Sequence, residues 1–198
     1  MGLILPYQDG QTPLDEDETD GLLIKSITTR GELDEAEQLN IQNAVEWTLK
    51  NNFRASEILS EKFIKQLHQK MFGDVWRWAG TSRKSNKNMG VDKYLIDVEL
   101  RKLLADTEYM ITNKTYPEDE LAIRFKYRIV TIHCFANGNG RHSRLMADVI
   151  VSHIFGKDIF SWGMQNPMQD ESQRTDYINA MREADRGNIQ SLLQFARS

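Results

Sequence analysis

The chain of 198 residues has one cysteine, Cys134, so no disulfide can form within it, and metal chemistry built on cysteine and histidine lacks partners at fixed spacing. Basic residues are not gathered into a run. The 25 Lys and Arg stand against 29 Asp and Glu, a formal charge of -4, which leaves no electrostatic footprint for nucleic acid. No stretch approaches the ~18 uninterrupted apolar residues of a membrane span. The opening Met1-Gly2-Leu3-Ile4-Leu5-Pro6 has no basic flank and too short an apolar run for a signal peptide. Repeats and low-complexity linkers are missing too. These absences lead to the expectation of a soluble cytoplasmic protein of bacterial type, with neither nucleic acid nor membrane as partner. What is present is 40% hydrophobic content, enough for one core in a chain of this length.

Apolar residues recur at helical spacing along most of the chain. Met1 to Gln11 reads as an irregular arm. Thr12-Pro13-Leu14-Asp15 then opens a short acidic helix, with Thr12 as cap and Pro13 at its first position, ended by Gly21. Helices are expected from Glu32 to Asn51, from Ser56 to Phe72 (Leu59, Phe63, Leu67 and Met71 on one stripe, His68 off it at a surface or core edge) and from Val98 to Asn113. Pro117 to Ile132 and Arg141 to Ile154 form a further pair, a loop around Gly156 to Met168 follows, and Gln169 to Glu183 and Asn188 to Arg197 close the chain. Between Val75 and Asp97 the helical period is lost, and two short strands with a turn near Asn86 to Met89 are expected. The result is an all-α bundle carrying one short β-hairpin, with residues 1–31 as an arm and short helix and residues 32–198 as the main domain.

One stretch concentrates chemistry: His133-Cys134-Phe135-Ala136-Asn137-Gly138-Asn139-Gly140-Arg141-His142-Ser143-Arg144. A helix delivers His133 at its end, where an imidazole can accept a proton from a hydroxyl. Gly138-Asn139-Gly140 can form a turn that lets a ligand approach the backbone. The helix that follows would present unpaired N–H groups and the positive end of its dipole to an anion. Arg141 and Arg144, three apart, share one helix face and can clamp successive phosphates. Taken singly, each feature has a plain structural reading: a helix-end histidine, a turn, two solvated arginines. Together they suggest phosphoryl or nucleotidyl transfer.

This stretch resembles the signature of the Fic family: His, any residue, Phe, any residue, Asp or Glu, Gly-Asn-Gly-Arg, two of any residue, Arg. The flanks, from Thr12-Pro13-Leu14-Asp15 through Phe72-Gly73-Asp74-Val75-Trp76-Arg77-Trp78-Ala79-Gly80 to Ala184-Asp185-Arg186-Gly187, resemble the subgroup called mobile mystery protein B. The resemblance implies a helical fold and transfer of AMP from ATP to a Ser, Thr or Tyr hydroxyl of a target protein. His133 would be the base and Asn139 would hold the α-phosphate. Arg141 and Arg144 would engage the β- and γ-phosphates, and the Gly138 and Gly140 amides would complete the anion hole. Lys84, Ser85, Asn86, Lys87 and Asn88 would lie in the hairpin flap that docks the target chain as an added strand.

One position departs from the signature. Where it carries a carboxylate for Mg²⁺ this chain has Asn137, whose carboxamide oxygen brings no charge and would hold the cation weakly. The family's inhibitory motif, a hydroxyl residue, three residues, Glu, then Gly or Asn, has no complete copy here. An antitoxin or other regulatory partner is implied by the resemblance. Two alternatives stand beside AMP transfer. One is a non-catalytic nucleotide-binding or protein-interaction module, in which retention of His133 would serve no purpose. The other is phosphotransfer of the kind seen in the relatives called Doc, whose motif has lysine where this chain has Gly140.

Overall fold

Those apolar stripes do form helices in the computed structural model, which describes residues 13–163 and 170–198, and no strand occurs among the described residues. The acidic N-terminal stretch gives α1 (Glu16–Thr19), capped by Asp15. Helix α2 (Arg30–Lys50) starts at a capping box in which Thr29 and Glu32 satisfy each other's backbone amides. The helix expected from Ser56 to Phe72 is two: α3 (Ala55–Ile58) and α4 (Glu61–Phe72). The break falls where Ser60 turns extended and its hydroxyl accepts the Phe63 amide at 3.1 Å, a new cap that outcompetes continuation.

A 3₁₀ turn, Lys93–Leu95, leads into α5 (Ile96–Thr112), then α6 (Glu118–Ile132) and α7 (Asn139–Val149), which ends in a π-helical turn, Ile150–Ile154. Helices α8 (Asp170–Asp185) and α9 (Gln190–Arg197) pack on each other, and α9 also meets α6. The core runs along the α6–α7 pair. Phe125, Ile129 and Ile132 of α6 and Met146, Ala147 and Val149 of α7 are buried there, flanked by Phe63, Leu67 and Met71 of α4 and Leu100 and Leu103 of α5. No described helix is long and apolar enough to cross a membrane. The expected arm, with the Thr12 cap, lies outside the described residues.

The expected β-hairpin is absent. The stretch from Val75 to Asp92 is a run of turns, and its one bridge pairs Trp76 with Leu22 rather than with a partner strand of its own. The reason is Arg83. Its side chain is buried, and its guanidinium donates to the carbonyls of His133 (2.7 Å), Ser85 (2.7 Å) and Val91. The Ser85 and Val91 carbonyls, which a hairpin ladder could have used, are thus taken by one side chain that also ties the loop to the end of α6. The flap is a loop folded around an arginine.

Candidate functional site

Helix α6 stops at His133 because that residue adopts the left-handed conformation, φ 59° and ψ 61°, while its amide still reaches the Ile129 carbonyl at 3.2 Å. The chain then turns through Phe135, which is wholly buried, and re-enters a helix at Asn139. Gly138, at φ 77°, caps that helix, and a Cβ there would come within 2.6 Å of the Phe72 ring, so the turn needs glycine. The first ladder bond of α7 is His142 to Gly138 at 2.9 Å, which leaves the Asn139, Gly140 and Arg141 amides at the open N-terminus of an 11-residue helix. The sequence-predicted residues His133, Gly138, Asn139, Gly140, Arg141 and Arg144 therefore surround one turn.

Their partners were not all foreseen. The Asn139 carboxamide closes on the backbone of Phe135, accepting from its amide at 2.9 Å and donating to its carbonyl at 2.8 Å. Here Asn139 staples the turn through its oxygen and one of its two Nδ2–H donors. Arg141 forms an ion pair with Glu37 of α2 at 2.5 Å and lies over the Phe72 ring. Glu37 is buried and also accepts the Trp76 indole N–H at 2.6 Å. Sequence reading missed it, although a signal existed: Leu33, Glu37, Asn40, Ala44 and Thr48 recur at helical spacing and form the buried face of α2. A carboxylate on such a face needs a cation. Arg144 lies over the Tyr177 ring, 5.6 Å from its centroid, with Asp148 one turn along α7.

His68, expected at a surface or core edge, is fully buried. Its Nδ1 accepts the Gly80 amide at 3.0 Å, which leaves Nε2–H to donate to the Asn137 carbonyl at 3.0 Å. Its ring stacks on Phe135 with centroids 3.7 Å apart. His68 thus ties the motif turn to the base of the flap. Its stripe was misjudged because α4 is apolar on two adjacent rows and not on one.

Burial sets the charges. The His133 imidazole is pushed down to about 4, first by desolvation and then by the positive charge of Arg83, a hydrogen bond to the Val130 backbone opposing. It is neutral near pH 7, with a lone pair to offer. His142, donating to the Ile64 carbonyl at 3.1 Å, is pushed to about 4 by desolvation. The Cys134 thiol is raised to about 12 by burial, which makes it inert inside the motif.

The donor set does not fit a resident Mg²⁺. Asn137 offers one neutral oxygen, and that oxygen accepts the Gly138 amide at 2.6 Å. Among the described residues no three acidic, histidine or cysteine side chains converge on a point.

The flap residues are spread over the loop. The Lys84 carbonyl accepts from Lys93 Nζ at 2.9 Å, and Asn86 bonds Asp92 at 2.9 Å and the Lys93 amide at 2.8 Å. Asn88 is exposed. Ser85 and Lys87 turn toward α1: Ser85 donates to Asp15 at 2.5 Å, and Lys87 Nζ sits between Asp15 (2.8 Å) and Glu18 (2.5 Å).

Residues 58–151, which hold this turn and its flanking helices, match the Fic/DOC family model. A Fido domain-containing protein of Dictyostelium discoideum is 32% identical over 79 residues, 40% of this chain and 49% of that protein. The chain spans about half the length of that curated relative. Among solved structures, BepC of Bartonella tribocorum, a translocated effector holding AMPPNP, superposes with a TM-score of 0.69 at 16% identity, covering 92% of this chain and 97% of that one. Fic-1 of C. elegans gives 0.67 at 19% identity over 96% of this chain and 55% of its own. Residues 58–151 thus match the Fic/DOC family model, and the chain has the helical fold of these solved structures.

Proposed function

We propose that this chain transfers AMP from ATP to a Ser, Thr or Tyr hydroxyl of a protein, and that it is of the mobile mystery protein B type, with Asn137 as that subgroup's trait. The observation that carries the reading is a neutral, buried imidazole held at the rim of an open helix N-terminus with two arginines on the same helix. A relative on this fold binds an ATP analogue, which supports the nucleotide. Polyphosphate would lie along the first turn of α7. The Gly140 amide and Arg144 would receive its anionic oxygens, and Arg141 would exchange Glu37 for phosphate.

The target oxygen attacks the α-phosphorus, the bond to the bridging β-oxygen breaks, and pyrophosphate leaves with that electron pair. His133 accepts the hydroxyl proton. Magnesium enters as part of the nucleotide substrate, since the motif turn offers it at most the Asn137 oxygen. Gly140 favours this chemistry over Doc-type phosphotransfer, because no lysine stands at that position.

The test is incubation with ATP labelled at the α- or the γ-phosphate in the presence of bacterial lysate. Protein-bound label from the α-position alone is expected. Label from the γ-position alone would mean phosphotransfer, and nucleotide binding without either would mean an interaction module.

A further inference from the structure

The flap is where the resemblance puts target docking, and what sits on it here is a piece of the chain itself. Helix α1 has only four residues and buries none of them, so little hydrophobic force holds it in place. Its attachment to the flap is polar. Lys87, whose side chain is 3% exposed, is gripped by Asp15 and Glu18 and reaches the Pro13 carbonyl at 3.4 Å. Ser85 donates to Asp15, and Trp78 donates to the Glu18 carbonyl at 3.0 Å. The Lys87 ammonium and the Ser85 hydroxyl hold the Asp15 carboxyl below the usual carboxylate range.

A covered ammonium is costly to leave without a carboxylate, so a carboxylate that leaves Lys87 has to be replaced by another chain's carboxylate. Beside the seat, Lys93 bonds the Lys84 carbonyl and lies over the Tyr94 ring, 5.0 Å from its centroid. Tyr94 is 81% exposed, and Met89, Leu95 and Val98 around the same turn are 39, 49 and 50% exposed. Lysines rimming an exposed tyrosine, methionine and aliphatic strip have the composition of a protein-binding patch. A like-charged partner is excluded and an acidic one favoured.

The geometry points to a docking surface for an acidic protein segment, centred on Lys87 and Ser85 and extended by Lys93, Tyr94 and Leu95, with Asp15 and Glu18 of α1 occupying its cationic centre when no partner is bound. The partner chemistry is that of the seated segment: carboxylates spaced three residues apart, beside an aliphatic residue (Leu14) and a hydroxyl (Thr19). That this partner is also the transfer target rests on the proposed function; its binding does not.

The experiment is fluorescence anisotropy with a labelled peptide copying residues 13–20, Pro-Leu-Asp-Glu-Asp-Glu-Thr-Asp, and its counterpart with every acid replaced by the amide. It uses the full chain, without nucleotide. The wild type should bind the acidic peptide weakly, because the seat is occupied. A full-length Asp15→Asn/Glu18→Gln variant should bind it at least ten-fold more tightly, ignore the amide peptide, and lose the gain when salt is raised or Lys87→Gln is added. Should melting show that the double variant has unfolded, Glu18→Gln alone should give an intermediate gain. Equal binding of both peptides, or no gain in a folded opened variant, overturns the proposal. Because nothing here depends on ATP, failure of AMP transfer and failure of acidic docking are read separately.

Discussion

His133 carries the chemistry through its charge state. A solvated imidazole would be protonated in part at pH 6.5 and could not then accept a proton. Burial beside Arg83 and Lys87 removes that competition in the free protein. A triphosphate arriving at α7 brings the opposite charge, which should raise the basicity of His133 as its proton is needed. Nuclear magnetic resonance titration of the nucleotide-free protein should place the His133 midpoint near 4 and move it upward when nucleotide binds. A midpoint near 6.5 in the free protein would contradict the burial argument. Arg144 offers a second check. Its guanidinium lies over the Tyr177 ring, and burial there lowers its basicity, which an arriving phosphate would offset. Arg144→Ala should weaken ATP more than ADP, by the ~1.5–3 kcal/mol of a charge-assisted bond, as read by calorimetry. Equal losses would make Arg144 a packing residue.

Among the elements, the flap is the one whose form depends on a single side chain. Arg83 bonds two carbonyls from separate parts of the loop, Ser85 and Val91, and that of His133 at the end of α6. Arg83→Met should lower global stability by ~2–4 kcal/mol, given ~1.5–3 for each hydrogen bond to a charged group and incomplete additivity. It should also strip hydrogen-exchange protection from the loop before any helix loses it. Unchanged protection there would show that the loop is held by other contacts.

The same loop marks the limit of what the sequence reveals. Helices α5, α6 and α9 were legible because their apolar residues repeat at helical spacing, and the motif turn because glycines, a histidine and two arginines crowd a short stretch. The loop was misread as a hairpin. A long-range tie from Arg83 to His133 leaves no local pattern, and alternating polar residues look alike in strands and in turns. Glu37 was missed for a related reason: α2 buries Glu37, Asn40 and Thr48, so its inner face does not stand out as apolar. Asn40 binds the Lys70 carbonyl at 2.9 Å and the Asp74 amide at 2.9 Å, contacts between helices that no spacing rule exposes.

For the whole molecule, burying His68, His133 and His142 in neutral form makes folding sensitive to acid. Each folded midpoint lies below the unfolded 6.5, so the unfolded chain binds more protons as pH falls, and stability is lost from about pH 6.5 toward 4. Asp148, buried and raised to about 6, works in the other direction over part of that range. At ~1.4 kcal/mol per unit, His133 and His142 less the opposing Asp148 should give a net loss between pH 7 and 5 on the order of 2–3 kcal/mol, to which His68 adds. Denaturant melts at the two pH values would show it, and equal stabilities would mean that the imidazoles can be protonated in place.

The most direct measurement compares wild type with His133→Ala in two assays on the same preparation: calorimetric ATP binding, and transfer of label from the α-phosphate of ATP to protein. A base acts on the transition state and hardly on the bound ground state. The affinity should therefore stay within about two-fold while transfer falls by ~10²–10⁴. A variant that keeps more than about half the wild-type transfer rate, or one that loses ATP binding and transfer together, would contradict the assignment of His133 as the base.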